Sequence, residues 1–450
     1  MKKIFQYIML AVVTIVMASC TSDIEETTAT TAKNNVQLVV GEFPAFGDSQ
    51  TRAIGTPDEG KTSWAEGDEL LLEIDNTSYG RHNATFTYNG KSWELTSGEL
   101  VYLEGDPAYI SHVYYAPNYK WEAGKLVLKE GKDPGTDEYI EGKARITGNG
   151  ETITVSFAEA TRKYSRLRIA TLPNEQITVD TEYFTPAGSS DMEQNGNYTL
   201  TSDEKGNAYL YGTFENNSEV TVKYREAALT TYTFSQATES AKSYALDATV
   251  ISANSAEEIK SAIEQKVADG KTTIRLNLAP NAGTNEFMAI REAIKGAAPN
   301  DLGTIELTII GVETIPEEAF YKMLQLKSVR MSDVKEIKKY AFKECQYLTV
   351  VEAPSLNKLC SGAFKKCDQL AKLTFGPINY ADERNWPIFE YITPNIDLIL
   401  SDYQKEMIET DSYLYTANND RDYAGSDEHN SKNFLGREFK SITCRRYRVE

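Results

Sequence analysis

Histidine is scarce in this chain of 450 residues: only His82, His112 and His429 occur. There is no His-Glu-x-x-His pair to hold zinc and no Gly-x-Ser-x-Gly turn to expose a nucleophile. A phosphate-cradling loop is missing as well. Gly148-Asn149-Gly150 runs into Glu151, lacks the third glycine of a dinucleotide loop, and reads as a hairpin turn. These absences predict no catalytic residues, no bound metal and no cofactor. Basic residues are outnumbered, 47 against 66, and the net charge of −19 becomes −21 once a leader carrying Lys2 and Lys3 is removed. So acidic a body repels nucleic acid and anionic lipid, and neither is expected as a partner. Beyond residue 20 no run of 18 apolar residues occurs, so no later segment is expected to span a membrane as a helix.

Apolar residues are present in quantity, 41% hydrophobic and 10% aromatic with 27 tyrosines, enough for real cores and weighted towards strands. The length predicts two to four domains. At the N-terminus, Lys2-Lys3 precede an apolar stretch from Ile4 to Met17, and Ala18-Ser19-Cys20 follow. A short apolar run ending in small residues reads as a signal segment, 1–19. Its small-small-cysteine ending resembles a bacterial lipobox, which implies cleavage between Ser19 and Cys20 and acylation of the Cys20 thiol. A plain secretory signal with an incidental cysteine stays open. Several acyl chains on one residue anchor stably where one chain would not. Residues 20–35, opening Thr21-Ser22-Asp23-Ile24-Glu25-Glu26, read as a flexible acidic and Thr-rich tether. Its acidic start resembles a surface-export signal of outer-membrane lipoproteins, implying display on the cell exterior.

From Val36 to Val250 strand follows strand. Leu70, Leu72 and Ile74 alternate, and Phe86-Thr87-Tyr88 leads through Asn89-Gly90 to Trp93-Glu94-Leu95, the pattern of a tight hairpin. Further strands are expected at 109–115, 125–128, 152–157, 167–170, 209–214, 220–224 and 232–234, with no helical pattern between them. The spacing predicts tandem β-sandwiches, 36–160 and 161–250, with a break near 158–162. Thr51-Arg52-Ala53, Trp64-Ala65-Glu66-Gly67-Asp68-Glu69-Leu70, Tyr114-Tyr115-Ala116-Pro117 and Phe157-Ala158 ahead of Leu167-Arg168-Ile169 resemble the fimbrillin (Mfa-like) family. The resemblance implies two transthyretin-like β-sandwiches used in pili or surface adhesins, with other fimbrial subunits as partners. It also implies proteolytic maturation at an N-terminal arginine, for which Arg52 is the positional match. An arginine in a surface loop is the plain alternative. The tyrosines of 109–119 could stack on a sugar, but filling a core and its rim is the simpler use.

At residue 251 the period changes. Ser255 with Glu258 reads as a capping box, Asp269-Gly270 as that helix's stop, and a second helix is expected at Asn285–Lys295 with Gly296 ending it. Residues 251–302 are thus a helix-strand N-terminal cap. Then seven apolar columns repeat every 22 residues: Ile315, Ile337, Leu359; Ala319, Ala341, Ala363; Phe320, Phe342, Phe364; Met323, Cys345, Cys367; Leu326, Leu348, Leu370; Val329, Val351, Leu373; Met331, Ala353, Phe375. The period lies in the leucine-rich-repeat range, and three coils suffice to bury a shared core. The pattern Ile-x-x-x-Ala-Phe-x-x-Cys-x-x-Leu-x-x-Val resembles the BspA-like leucine-rich repeat of bacterial surface proteins. It implies a short α/β solenoid over 303–380, capped by 381–450.

A column that accepts Met or Cys is a buried apolar position, so structural thiols are expected at Cys345 and Cys367, with an inter-coil disulfide left open. Asp420, Asp422, Gly425 and Asp427 hint at calcium, but Ala424 and Ser431 stand where ligands are needed, and a solvated acidic loop fits better. Between the buried columns, Ser328, Val350 and Lys372, then Arg330, Glu352 and Thr374, are expected to point to solvent as a recognition face.

The whole reads as a multidomain, mainly β chain. The first expectation is a lipid-anchored outer-membrane adhesin facing outward, without enzymatic activity, binding protein or glycan on a host or neighbouring cell. Alternatives are a pilus tip or anchor assembled by donor-strand exchange, and a glycan-capture lipoprotein.

Overall fold

The computed structural model describes residues 37–44, 46–48, 60–76, 80–98, 108–147, 152–157, 162–225, 227–382, 388–404, 433–435 and 437–445. Ser19, Cys20, Arg52, His429 and Asp420–Asp427 lie outside them.

The first unit holds β1 (Gln37–Val40), β2 (Gly47–Asp48), β3 (Glu69–Asn76), β4 (Gly80–Tyr88), β5 (Trp93–Gly98), β6 (Ala108–Tyr115), β7 (Tyr119–Glu122), β8 (Lys125–Leu128), β9 (Ile140–Thr147) and β10 (Thr152–Ser156). Seven of them close in the order β1-β10-β9-β6-β3-β4-β5. Two separate facing sheets were expected; here they join in a ring because β1 pairs in parallel with β10 and touches β5 at Leu38 and Trp93 alone. Leu70, Leu72 and Ile74 do point into the core. Leu71 is buried too, on the opposite face, under the hairpin of β7 and β8. Trp64 plugs the barrel end, its indole N–H donating to the Gly41 carbonyl at 2.8 Å and its ring meeting Phe43, Trp93 and Tyr115 edge-on. The Tyr115 hydroxyl donates to Asp68 at 3.2 Å, so tyrosines here fill core and rim. Asn89-Gly90 lies in the β4–β5 hairpin as expected, with Tyr88 paired to Trp93, but the connection is longer than the two residues Asn-Gly favours. Asn89 accepts from the amides of Lys91 and Ser92 in a four-residue loop, and only Gly90 of the two has positive φ.

The second unit holds β11 (Ser165–Ala170), β12 (Gln176–Pro186), β13 (Glu193–Thr201), β14 (Asn207–Phe214), β15 (Glu219–Tyr224), β16 (Ala227–Thr233) and β17 (Lys242–Asp247). Its sheet runs β16-β15-β12-β14-β11-β17-β2, with β13 also paired to β12. β12 and β13 were not foreseen. They are rich in Thr, Asp, Glu and Asn, and β13 gains its order from a single long pairing with β12. At the seam with the barrel, the buried Arg162 guanidinium binds Glu138 at 2.9 Å and the Pro44 carbonyl at 2.6 Å, and Tyr164 donates to Glu138 at 2.7 Å. Phe46 stacks against both Arg162 and Arg166.

The third unit holds β18 (Ile251–Ala253), α1 (Ala256–Ala268), β19 (Thr273–Leu278), α2 (Thr284–Ala297), β20 (Ile305–Ile310), β21 (Thr314–Ile315), β22 (Leu326–Met331), β23 (Glu336–Ile337), β24 (Val350–Ala353), β25 (Lys358–Cys360), β26 (Lys372–Phe375), β27 (Tyr380–Asp382), β28 (Asp397–Ser401), β29 (Asn433–Phe434), β30 (Arg437–Glu438) and β31 (Ser441–Arg445). One sheet of eight parallel strands runs β18-β19-β20-β22-β24-β26-β28-β31, and a shorter parallel ladder runs β21-β23-β25-β27. Ser255 caps α1 as expected, accepting from the Glu258 amide, while the Glu258 carboxylate reaches back to the Asn254 amide. Gly296 does not stop α2, which continues to Ala297 and caps at Ala298.

All seven columns are buried. Phe320, Phe342 and Phe364 stack at 5.1 and 5.4 Å between ring centroids. Phe389 extends the stack at 5.8 Å, and Phe287 of α2 caps it edge-on. A third ladder of amide bonds crosses the turns: Phe320 to Ala341, Phe342 to Ala363, Phe364 to Ile388. Each Ala-Phe pair is flanked by left-handed residues, Glu318, Tyr340 and Gly362 before it and Lys322, Glu344 and Lys366 after it, and Tyr391 follows Ile388-Phe389 in the same way. Gly362 also makes room, since a Cβ there would collide with the Tyr340 ring at 2.5 Å.

Candidate interaction surface

The six residues expected on the recognition face come together on β22, β24 and β26. Ser328, Val350 and Lys372 form one cross-strand row, and Arg330, Glu352 and Thr374 the next. Parallel pairing in register does this, because a constant period puts equivalent residues on adjacent strands. Two of the six do not face open solvent: Ser328 is 6% exposed and Thr374 9%.

The remaining charges neutralise one another across coils. The Glu352 carboxylate takes Arg330 at 3.1 Å on one oxygen and Lys372 at 3.3 Å on the other. Lys327 binds Glu306 at 2.8 Å, and Lys440 binds Asp397 at 3.0 Å. The rows continue through Glu306 and Thr308 on β20 and through Asp397 and Ile399 on β28. The leading end is covered. Arg275 is buried with its Nε donating to the Leu229 carbonyl, and Ile310 joins the core of the second sheet. Burial would raise the Asp247 carboxyl, but the Thr249 hydroxyl and amide, with Lys266 and Arg275 nearby, hold it below the usual carboxylate range. The open face therefore begins near β22.

Cys345 and Cys367 are buried, unpaired thiols, each donating to the phenylalanine carbonyl of the coil before it, Phe320 and Phe342, at 3.0 Å. Burial pushes the Cys345 thiol up to about 12 and Cys367 higher still. The half-buried Cys360 thiol points to the Glu336 carboxylate at 3.8 Å. His82 and His112 sit on β4 and β6 of the barrel, away from these thiols. Among the described residues no group of three or more His, Cys, Asp or Glu is placed to hold a metal, and no helix is long and apolar enough to cross a membrane. A groove of about 690 Å³, lined by Arg225, Gly311, Glu313, Asp333, Lys335 and Ser355, lies where the second sheet meets the first coils.

Residues 301–404 match the BspA type leucine-rich repeat region in six copies. BspA-type leucine-rich repeats thus occupy this stretch, extending past the three coils legible at 303–376. Repeats of this kind present a protein-binding surface. Among solved structures, the chain is similar to a leucine-rich repeat protein of T. pallidum at 18% identity, over 21% of this chain and 58% of that one, with a TM-score of 0.17. The chain spans a little over half the length of that protein. No curated protein matches the chain.

Proposed function

We propose that this chain is a cell-surface adhesin, acylated at Cys20 after cleavage behind Ser19 and carried on the outer face of the outer membrane. Two fimbrillin-like β units of transthyretin type, the first with its sheets joined into a barrel, form its stalk, and a leucine-rich solenoid presents the binding face to a protein or glycan on another cell. It catalyses no reaction. The observation carrying this reading is the partly exposed cluster of Arg330, Glu352 and Lys372, drawn from two adjacent in-register rows of a long parallel sheet. Protease shaving of intact cells, comparing wild type with Cys20→Ala, tests the display. Wild-type protein should be removed by protease; resistance until lysis refutes surface exposure. Glu352→Lys combined with Val350→Asp should abolish cell binding without unfolding the coils, and retained binding refutes the face.

One observation favours a second reading, a pilus tip or anchor built by donor-strand exchange. Residues 37–48 precede Arg52 and carry both β1, which completes the barrel against β10, and β2, which ends the second sheet against β17. Removal of this segment would expose two strand edges to β-augmentation. Under this reading, cutting at Arg52 yields a ladder of oligomers, and Arg52→Ala stays monomeric.

A further inference from the structure

The strand face neutralises its own charge, but the turn edge does not. Residues 314–375 carry 11 Lys and Arg against 7 Asp and Glu, a net of +4 that leaves −23 on the rest of the chain. Much of that excess stands on the turns beside the Ala-Phe pairs. Lys343 places its ammonium 5.0 Å from the Tyr321 ring of the coil before it and 4.7 Å from the Tyr340 ring of its own coil. Lys339 also lies 4.7 Å from the Tyr340 ring, and Lys322 lies 5.2 Å from the Tyr321 ring. Glu344 is the carboxylate shared by Lys322 at 3.4 Å and Lys343 at 3.9 Å. Lys339 and the exposed Lys366 have no ion pair among the described residues. Glu317 and Glu318 mark the first-coil end, so the basic line runs from Lys322 to Lys366.

We infer that this ridge is a binding site for a linear anionic polysaccharide, a sulfated or uronate chain. This rests on the adhesin reading and names its ligand. Three arguments select the ligand class. The tyrosine faces hold the ammoniums in place, so less side-chain freedom is lost on binding. Successive coils stand about 4.8 Å apart, comparable with one sugar unit of an extended chain, so charges on the polymer meet a lysine coil by coil. The line is one or two side chains wide on an otherwise acidic body. A slender chain can lie along it, whereas a duplex or a bilayer would also meet the surrounding negative surface.

The test uses the full chain with heparin and polygalacturonate as probes and neutral dextran as control, read by calorimetry at two salt concentrations. Heparin or polygalacturonate should bind and weaken with salt, and dextran should not bind. Lys339→Glu/Lys343→Glu/Lys366→Glu should weaken binding about tenfold or more, three surface contacts each contributing up to about a factor of five. Lys339→Gln/Lys366→Gln, which leaves the ring-held Lys343 in place, should cost about two- to fivefold and guards against misfolding of the triple variant. No binding of either polymer, or unchanged binding in both variants, overturns the proposal. Equal or tighter binding of duplex DNA or phosphatidylglycerol vesicles overturns its ligand class. Glu352→Lys/Val350→Asp, which alters the strand face, is compared with the ridge variants for cell binding. If that variant abolishes cell binding while the ridge variants do not, the ridge fails and the adhesin reading stands. If neither changes cell binding, the adhesin reading itself fails.

Discussion

The barrel and the coils solve the same problem, burying apolar faces, by opposite routes. In the coils each strand pairs with the next one along, and equivalent residues meet 22 positions apart, as Phe320 meets Phe342 and Phe342 meets Phe364. In the barrel, closure depends on β1 reaching β10 more than a hundred residues later, with Leu38 paired to Ile153. The coils therefore form a chain of neighbour contacts, whereas the barrel stands on a few distant ones.

The largest separation between the two should appear in alkali. Cys345 and Cys367 are held protonated by burial, with Cys345 raised from 9.0 to about 12. A raised pKa contributes stability that is complete below the unfolded value and lost as pH climbs towards the folded one. The buried Tyr115 of the barrel and Tyr164 at its seam are likewise raised, but from 10.0. Coil signals followed by hydrogen exchange should thus weaken from about pH 9, before the barrel does. Simultaneous loss would break the comparison.

Next in size, Phe342→Ala removes the middle ring of the stack and should cost about 3–5 kcal/mol by denaturant unfolding. Proteolysis should then open the coils while the barrel stays intact. Glu138→Gln attacks the barrel side, leaving Arg162 buried without its carboxylate; about 3 kcal/mol is expected, seen as earlier cleavage at the seam between the first two sheets. The smallest effect is a gain. Glu318 holds a left-handed φ of 55°, and Glu318→Gly should stabilise the coils by about 0.5–1 kcal/mol, read as a higher melting temperature.

The same contrast explains what could be read in advance. The seven columns were legible because each states one burial requirement three times. The coil of Phe389 was hidden because its step from Phe364 is 25 residues, although its amide ladder through Ile388 matches the others. The barrel's ring had no local signal, since nothing near Leu38 names Ile153 as its partner. β12 and β13 were missed because their polar residues do not show the pairing that orders them. On the face, all six residues were placed together, yet the cover over Ser328 and Thr374 comes from neighbours in space. The lysine ridge escaped notice for a related reason. Lys343 meets Tyr321 across coils, and 22-residue columns of apolar residues say nothing about mixed Lys and Tyr positions.

The parallel pairing of β1 with β10, and of β2 with β17, has a mechanical meaning. Tension entering at the N-terminal end of β1 leaves through the C-terminal ends of β10 and β17, on the way to the coils. Parallel partners pulled from opposite ends are loaded in shear, so the hydrogen bonds across each pair bear the force together instead of unzipping one by one. A molecule held at its beginning and gripping with its far half would take up a pull along its strongest direction.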